Sequence, residues 1–470
     1  MDDLYARLRS TLAPYGQEHV LRFWDRLDGT SRLRLARQLE SFDLGLIDEL
    51  VKTRVLVATP APVFDFGPIE VTRLPRTASE HAAFRRARRV GEDLLRQGRA
   101  ACVVVAGGQG TRLGVDVPKG TFPIGPVSRK SIFELHVERI RALARRFGTH
   151  IPLFIMTSPV NDSATREFFR MSNNFLLPEE DVVFFVQGVM PAVDFAGKLI
   201  LDAPDHVFAN PNGHGGVMPA LVESGAVTEM RRRGVTEVFH CQVDNVLVKI
   251  AEPVFLGFHH ETGAQMSSKV CRKRDAAERV GVTVKRTDGR TAVVEYTNLT
   301  EEQTRRTEPD GSLSLWAANL CIYWYTVDFA ETVGRDVRLP FNLARKKIPH
   351  VDGDGKRVEA TEPNGIKFET FVLDAFPHAQ KTFLMEIDRA EEFAPVKNMT
   401  GEDSVDSAQL AITERCARWL ESCGVTVPRG SDGRPQYPIE ISPLYALDAG
   451  QLKRKLPDRL AINGPLLLDT

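Results

Sequence analysis

"VVVAGGQGTRLGVDVPKG", Val103 to Gly120, is the stretch that decides the fold. It continues the apolar run "ACVVVA" (Ala101 to Ala106), short and uninterrupted as in a parallel strand buried on both faces. The run ends in Gly107-Gly108-Gln109-Gly110, and two cations, Arg112 and Lys119, follow. A P-loop needs lysine directly after the last glycine of G-x-x-x-x-G-K-[ST], whereas Gly114 is followed by Val115. A dinucleotide fingerprint needs G-x-G-x-x-G to open a helix, because the pyrophosphate sits on that helix's N-terminus. Here the third glycine is displaced to Gly114, and Pro118, Pro123 and Pro126 forbid a helix in the next dozen residues. What remains is a helix-free loop after a strand, with bare backbone N–H groups, a planar guanidinium and a mobile ammonium. Two cations aimed at one polyphosphate suit a site where negative charge shifts during reaction. An isolated G-x-G would serve equally well as a surface turn with solvated charges.

Outward from this loop the pattern is strands alternating with helices. "SIFELHVERIRALARRFG" opens with Ser131 and Glu134 in capping-box spacing and closes on Gly148. "IPLFIMTS" and "VVFFVQG" read as strands, with a polar helix near Asp162 to Met171 between them. A helix follows from Pro219 to about Arg233, and "VTEVFHCQVDNVLVKI" is a further strand with Asp244 near its end. Such alternation predicts an α/β domain with a mostly parallel sheet. Between about 265 and 325, "SSKVCRKR", "GVTVKRT", "TAVVEY" and "LCIYWYTV" are strands without helices, with Asp288-Gly289 as a hairpin signal. They are expected to form an antiparallel sheet flanking the main one. Residues 1 to about 95 read as helical, interrupted by the Pro-rich connector Thr59 to Pro68. A final segment carries one strong helix, Ala408 to Glu421.

Composition narrows the classes. The 470 residues are 43% hydrophobic, enough for a large core and two or three domains. The 61 basic and 62 acidic residues leave a formal charge of −1, which argues against a generic nucleic-acid binder. Any anion must therefore be gripped by a local cluster. The six cysteines form no C-x-x-C pair, and Cys102 and Cys241 sit in strand-like runs as small hydrophobes. Cys416 and Cys423 share a helix face but are too far apart to bridge. With no leader and no membrane-length apolar run, a reducing, cytoplasmic protein without membrane partners is expected.

"AGGQGTRLG" followed by "PKG" resembles the signature of the eukaryotic-type UDP-sugar pyrophosphorylases, in particular the UDP-N-acetylhexosamine branch. The resemblance extends over nearly the whole chain. "GQEHVLRFWDRL" (Gly16 to Leu27) matches near the start, and "VVFFVQGVMPA", "CQVDNVLVK", "VGVTVKRTDGRTAVVEY", "RKKIPHVD", "PNGIKFETFVLD", "EEFAPVKN" and "EISPLY" follow in order. It implies an α/β fold: a Rossmann-like nucleotide-diphospho-sugar transferase core with a helical N-terminal segment and a small C-terminal domain. The corresponding boundaries are 1–97, 98–398 and 399–470. The implied reaction joins UTP to a sugar 1-phosphate, N-acetylglucosamine 1-phosphate being favoured, and releases pyrophosphate. The sugar phosphate would attack the α-phosphorus in line, so catalysis is mostly positioning and charge neutralisation.

The resemblance also implies roles for residues. Arg112 and Lys119 would hold the triphosphate and offset charge on the leaving pyrophosphate. Asp244 would bind Mg²⁺ (Mn²⁺ being the alternative), a hard cation that takes carboxylates and phosphate oxygens; alone, it would read as a turn cap. Ala106, Gly107, Gly108 and Gly215 would pack against base and ribose. Gln187, with one acceptor and two donors, would read uracil, unless it merely ends a strand. On the sugar side fall His214, Gly281, Glu295, Asn319, Phe371 and Lys397. Phe371, followed by Val372 and Leu373, also has the pattern of a core residue. Lys397 would contact the sugar phosphate or else be solvated.

Three positions depart from the family pattern: His214 replaces an asparagine, Ala318 a common glycine, and Leu373 a second aromatic. All bear on the sugar pocket, while the nucleotide-side motifs are intact. A UDP-glucose or broad-specificity UDP-sugar pyrophosphorylase is the alternative enzyme. A non-catalytic sugar-nucleotide binder is the alternative from another class, although it would have no need of Arg112, Lys119 and Asp244 together. A monomer or weak homodimer is expected.

Overall fold

The strand leading into the glycine loop lies at the centre of the larger of two units. The computed structural model describes residues 2–57, 65–457 and 459–469. By internal contacts the larger unit comprises Asp65–Val186, Val217–Val337 and Ala375–Thr470, and the smaller Met1–Phe64, Gln187–Gly216 and Arg338–Asp374.

In the larger unit, β1 (Ala100–Val105), β2 (Leu153–Thr157), β3 (Val182–Val186) and β4 (Glu237–Gln242) pair in parallel in the order β3-β2-β1-β4. This is a Rossmann-like arrangement, whose topological switch point falls between β1 and β4. Five of the six β1 residues are buried, as the unbroken apolar run requires.

The helices follow from local signals. α1 (Ala78–Arg96) begins with a full capping box at Thr77 and Glu80. α2 (Ile132–Phe147) begins where the Ser131 hydroxyl accepts from the Glu134 N–H, and stops at Gly148 with φ 61°. α3 (Asp162–Met171) has the predicted bounds. The helix expected over 219–233 is two, Val217–Glu223 and Ala226–Arg232, because Gly225 interrupts it in the left-handed region.

The helix-free strands correct one expectation. β5 (Met266–Arg272), β6 (Val282–Arg286), β7 (Thr291–Val294) and β8 (Ala317–Thr326) do not make a separate flanking sheet. β8 pairs antiparallel with β4, and β5 and β6 pair with β8, so the ladder continues into one ten-stranded sheet. The hairpin between β6 and β7 turns at Asp288-Gly289 as predicted. The Pro-rich connector lies outside the described residues as far as Phe64; beyond it, Phe66–Gly67 pairs with β6. Near the C-terminus, α4 (Val405–Ser422) buries Ala408, Ile412, Cys416 and Leu420 in the same cluster as β1 and β2. All six cysteines are free, with Cys102 and Cys241 buried.

The smaller unit gathers the helices Asp2–Leu12, Gly29–Glu40 and Leu44–Leu50 with a three-stranded sheet of Phe341–Lys346, Gly365–Thr370 and Val193–Asp194. Leu8, Trp24, Leu35 and Leu39 pack there with Leu199, Val207 and Phe368. Among the described residues, no helix is long and apolar enough to cross a membrane.

Candidate active site

Val105 and Gln242 are register partners, so β1 and β4 end side by side. The glycine loop and the Asp244 turn therefore leave from the switch point, where open α/β sheets receive ligands. Only two short 3-10 turns, Thr111–Leu113 and Lys119–Thr121, interrupt the loop before α2. Gln109 bridges to Pro118, and the Lys119 N–H donates to the Gly108 carbonyl at 3.2 Å, folding the loop back on itself. Gly120 permits this, since a Cβ there would lie 2.3 Å from the Phe133 ring on α2. The folded loop brings the Lys119 ammonium to 3.3 Å from the Asp244 carboxylate, both side chains being mostly buried. Arg112 is exposed on its turn and makes no hydrogen bond or ion pair among the described residues.

The loop's carbonyls are tied down from the β2 side. The Asn161 amide donates to the carbonyls of Ala106 at 2.8 Å and Gly108 at 3.3 Å, and the Ser158 hydroxyl donates to that of Gly107 at 2.9 Å. In a trans peptide the following N–H points opposite to the carbonyl. Holding these three carbonyls thus turns the N–H groups of Gly107, Gly108 and Gln109 to the other side. None of those three N–H groups has a hydrogen-bond partner among the described residues. Asn161 and Ser158 are themselves 0% and 1% exposed, so the clamp is rigid.

The turn after β4 organises Lys397. The buried Asn245 accepts from the Ala394 N–H and donates to the Glu392 carbonyl, while the Val396 N–H donates to the Asp244 carbonyl. This docks the strand-like stretch before Lys397 against the Asp244 turn. Lys397 itself is about half exposed and pairs with Asp403 at 3.1 Å.

Gly281, Glu295 and Asn319 meet where β6, β7 and β8 adjoin. The Asn319 N–H donates to the Gly281 carbonyl at 2.9 Å, and a Cβ on Gly281 would lie 3.1 Å from the Glu295 carboxylate. Burial pushes the Glu295 carboxyl above the usual carboxylate range, and it has no ion-pair partner among the described residues. The Asn319 side-chain oxygen accepts from the Cys321 N–H at 3.0 Å and the Tyr323 hydroxyl at 2.7 Å. Its NH₂ group donates to the Ser268 hydroxyl at 3.5 Å, which leaves its second N–H for a ligand. Cys321 has φ 54°, a strained value inside β8 that these bonds hold in place.

The other expected residues belong to the smaller unit. Gln187 follows β3 and is 6% exposed. The His214 ring stacks on Phe371, centroids 5.1 Å apart at 13°, and His214 Nδ1 accepts from the Val372 N–H. Gly215 packs against that backbone, where a Cβ would come within 2.6 Å of the Phe371 nitrogen. Leu373 is buried.

A family model described as UTP–glucose-1-phosphate uridylyltransferase matches residues 76–418. The chain belongs to that family. It is 37% identical to the human UDP-N-acetylhexosamine pyrophosphorylase-like protein 1, over 98% of this chain and 96% of that one. The Saccharomyces cerevisiae UDP-N-acetylglucosamine pyrophosphorylase is 36% identical, over 77% of this chain and 79% of its own. The crystal structure of the Trypanosoma brucei uridine diphosphate N-acetylglucosamine pyrophosphorylase superposes with a TM-score of 0.83 at 26% identity, covering 100% of this chain and 99% of that one. This uridylyltransferase-family chain is a nucleotidyltransferase enzyme.

For a uridylyltransferase the larger unit offers the right chemistry: three oriented N–H donors, a mobile cation and a carboxylate at one switch point. Residue-by-residue reading of the chain did not single out Ser158, Asn161 or Asn245. Ser158 and Asn161 stand in "TSPVND", just past β2. Their placement one strand over from the glycine loop is the signal, and it exists only once β1 and β2 are paired.

Proposed function

We propose that the protein transfers a uridylyl group from UTP to N-acetylglucosamine 1-phosphate, forming UDP-N-acetylglucosamine and pyrophosphate. The observation that carries this reading is the Lys119–Asp244 pair at the switch point, beside the N–H groups turned outward by Asn161 and Ser158. The names of the relatives favour the N-acetylhexosamine over the glucose substrate.

The N–H groups of Gly107, Gly108 and Gln109 would donate to phosphate or base oxygens without reorganising at the moment of reaction. Lys119 would leave Asp244 for the triphosphate and neutralise charge as pyrophosphate departs. Arg112, free on its turn, would join it. Lys397 would meet the sugar phosphate, exchanging Asp403 for it. Gln187 and Gly215 would receive the uridine, and His214, Phe371, Glu295 and the Asn319 NH₂ group the sugar. Among the described residues no group of three metal-ligating side chains occurs. One carboxylate fits a magnesium ion that takes its remaining ligands from phosphates and water, and Asp244 would be that carboxylate. When bound, Mg²⁺ would supply charge neutralisation at the phosphates.

Purified protein with Mg²⁺, UTP and N-acetylglucosamine 1-phosphate is expected to release pyrophosphate. Parallel reactions with glucose 1-phosphate and N-acetylgalactosamine 1-phosphate rank the sugars. Absence of pyrophosphate with every sugar phosphate would overturn the reading.

A further inference from the structure

A cavity of about 120 Å³ opens in the larger unit away from the glycine loop, walled by α2, by Val248–Pro253, by α4 and by residues 441–448. That volume is ample for a phosphate-sized group with accompanying water. Its lining carries the cations Arg88, Arg139, Arg146, Lys249 and Arg415 against the carboxylates Glu252 and Asp448. Glu252 is already engaged by Lys269 at 2.6 Å, Asp448 faces Arg146 at 3.6 Å, and Lys249 faces Glu392 at 3.5 Å.

Arg139 and Arg415 are different. They are 5% and 7% exposed, and neither forms an ion pair among the described residues. Arg139 donates to His136 Nδ1 and to the Val246 carbonyl; Arg415 donates to the Leu247 carbonyl. These carbonyls fix the two guanidiniums but neutralise neither. The Arg415 Nε is buried with no hydrogen-bond partner among the described residues. Burial, and then the charge of Arg415, holds Arg139 down to about 9. Two unpaired guanidiniums in one cavity are costly unless an anion joins them. Planar forks of this kind match phosphate oxygens.

We propose that this cavity binds a small phosphate-type dianion between Arg139 and Arg415, with Arg88 at its rim, as a second anion site separate from the nucleotide loop. Free orthophosphate, pyrophosphate and the phosphate of a larger ester share this chemistry, and the cavity volume favours the first two.

Thermal unfolding of the full chain in orthophosphate, pyrophosphate or sulfate, against chloride at equal ionic strength, tests it. A melting-temperature rise of roughly 3 °C is expected at a hundredfold excess over Kd. The rise is expected to persist in Lys119→Ala, to vanish in Arg415→Gln, and to need higher phosphate in Arg88→Ala, an exposed change that leaves the core intact. If Arg415→Gln does not fold, Trp419 supplies the readout, because Arg415 lies 5.2 Å over its ring. Phosphate should then alter tryptophan emission in the wild type and not in Trp419→Phe. A rise that survives Arg415→Gln, a rise lost in Lys119→Ala, or no response of Trp419 and Arg88→Ala to phosphate would each overturn the proposal.

Discussion

The Lys119 ammonium and the Asp244 carboxylate stand 3.3 Å apart, although 125 positions separate them in the chain. The pair joins the loop after β1 to the turn after β4. Each partner neutralises the other without substrate, so a triphosphate arrives at a lysine whose charge is held in place rather than solvated. Replacing Lys119 by alanine is expected to lower kcat about a thousandfold, roughly 4 kcal/mol of transition-state stabilisation. Asp244→Asn should cost a similar factor, and the double variant little more than the worse single one, because the two act as a unit. Steady-state kinetics of the three variants checks this; additive losses would separate the roles.

The Asn161 clamp leads to a different signature. Asn161→Ala frees the Ala106 carbonyl and leaves the Gly108 carbonyl only its bond from the Lys119 N–H, so the glycine-loop N–H groups are held less firmly in direction. Loss of such buried hydrogen bonds is worth about 1–3 kcal/mol. The expected result is a fall of about 10- to 100-fold in kcat/KM for UTP, with KM for the sugar phosphate nearly unchanged. Equal changes in both would point to general destabilisation.

These two pairs mark what was legible in the sequence. The glycine loop, the absence of a helix after it and the strand-ending aspartate all rest on local signals: an apolar run, three prolines, a polar residue at a strand end. The carbonyl clamp rests on β1–β2 pairing, and the Asn245 brace on a segment nearly 150 residues downstream, so no local window contains either. The antiparallel strands misled for the same reason. The strands without intervening helices and their hairpin were readable, but that β8 would pair with β4 is a property of the ladder.

His214 offers a test of sugar choice. Its ring is stacked on Phe371 and its Nδ1 is used by the Val372 N–H, where an asparagine would leave an amide for the sugar. His214→Asn is expected to raise the preference for N-acetylglucosamine 1-phosphate over glucose 1-phosphate by about 5- to 10-fold, the worth of one net hydrogen bond. Competition between the two sugar phosphates measures the ratio. An unchanged ratio would place His214 outside the sugar's reach.

His136 links pH to stability just behind the Asp244 turn. It is 1% exposed, its Nδ1 accepts from Arg139, and its Nε2 therefore carries the proton donated to the Val243 carbonyl. Burial, and then the neighbouring Arg139 charge, lowers its pKa from 6.5 to about 3. Between those values the unfolded chain binds the proton that the folded chain refuses, so stability is complete above about 6.5 and drains away as pH falls toward 3. Over that window the loss is roughly 4–5 kcal/mol. Glutamine at this position keeps a donor for Val243 and an acceptor for Arg139 but does not titrate. The wild type is expected to exceed His136→Gln in unfolding free energy by more at pH 7 than at pH 4, the gap narrowing by about 3 kcal/mol. Urea unfolding of both proteins at pH 7, 5.5 and 4 measures the gap. A gap that stays constant with pH would show that His136 keeps its charge state on unfolding and that acid acts elsewhere.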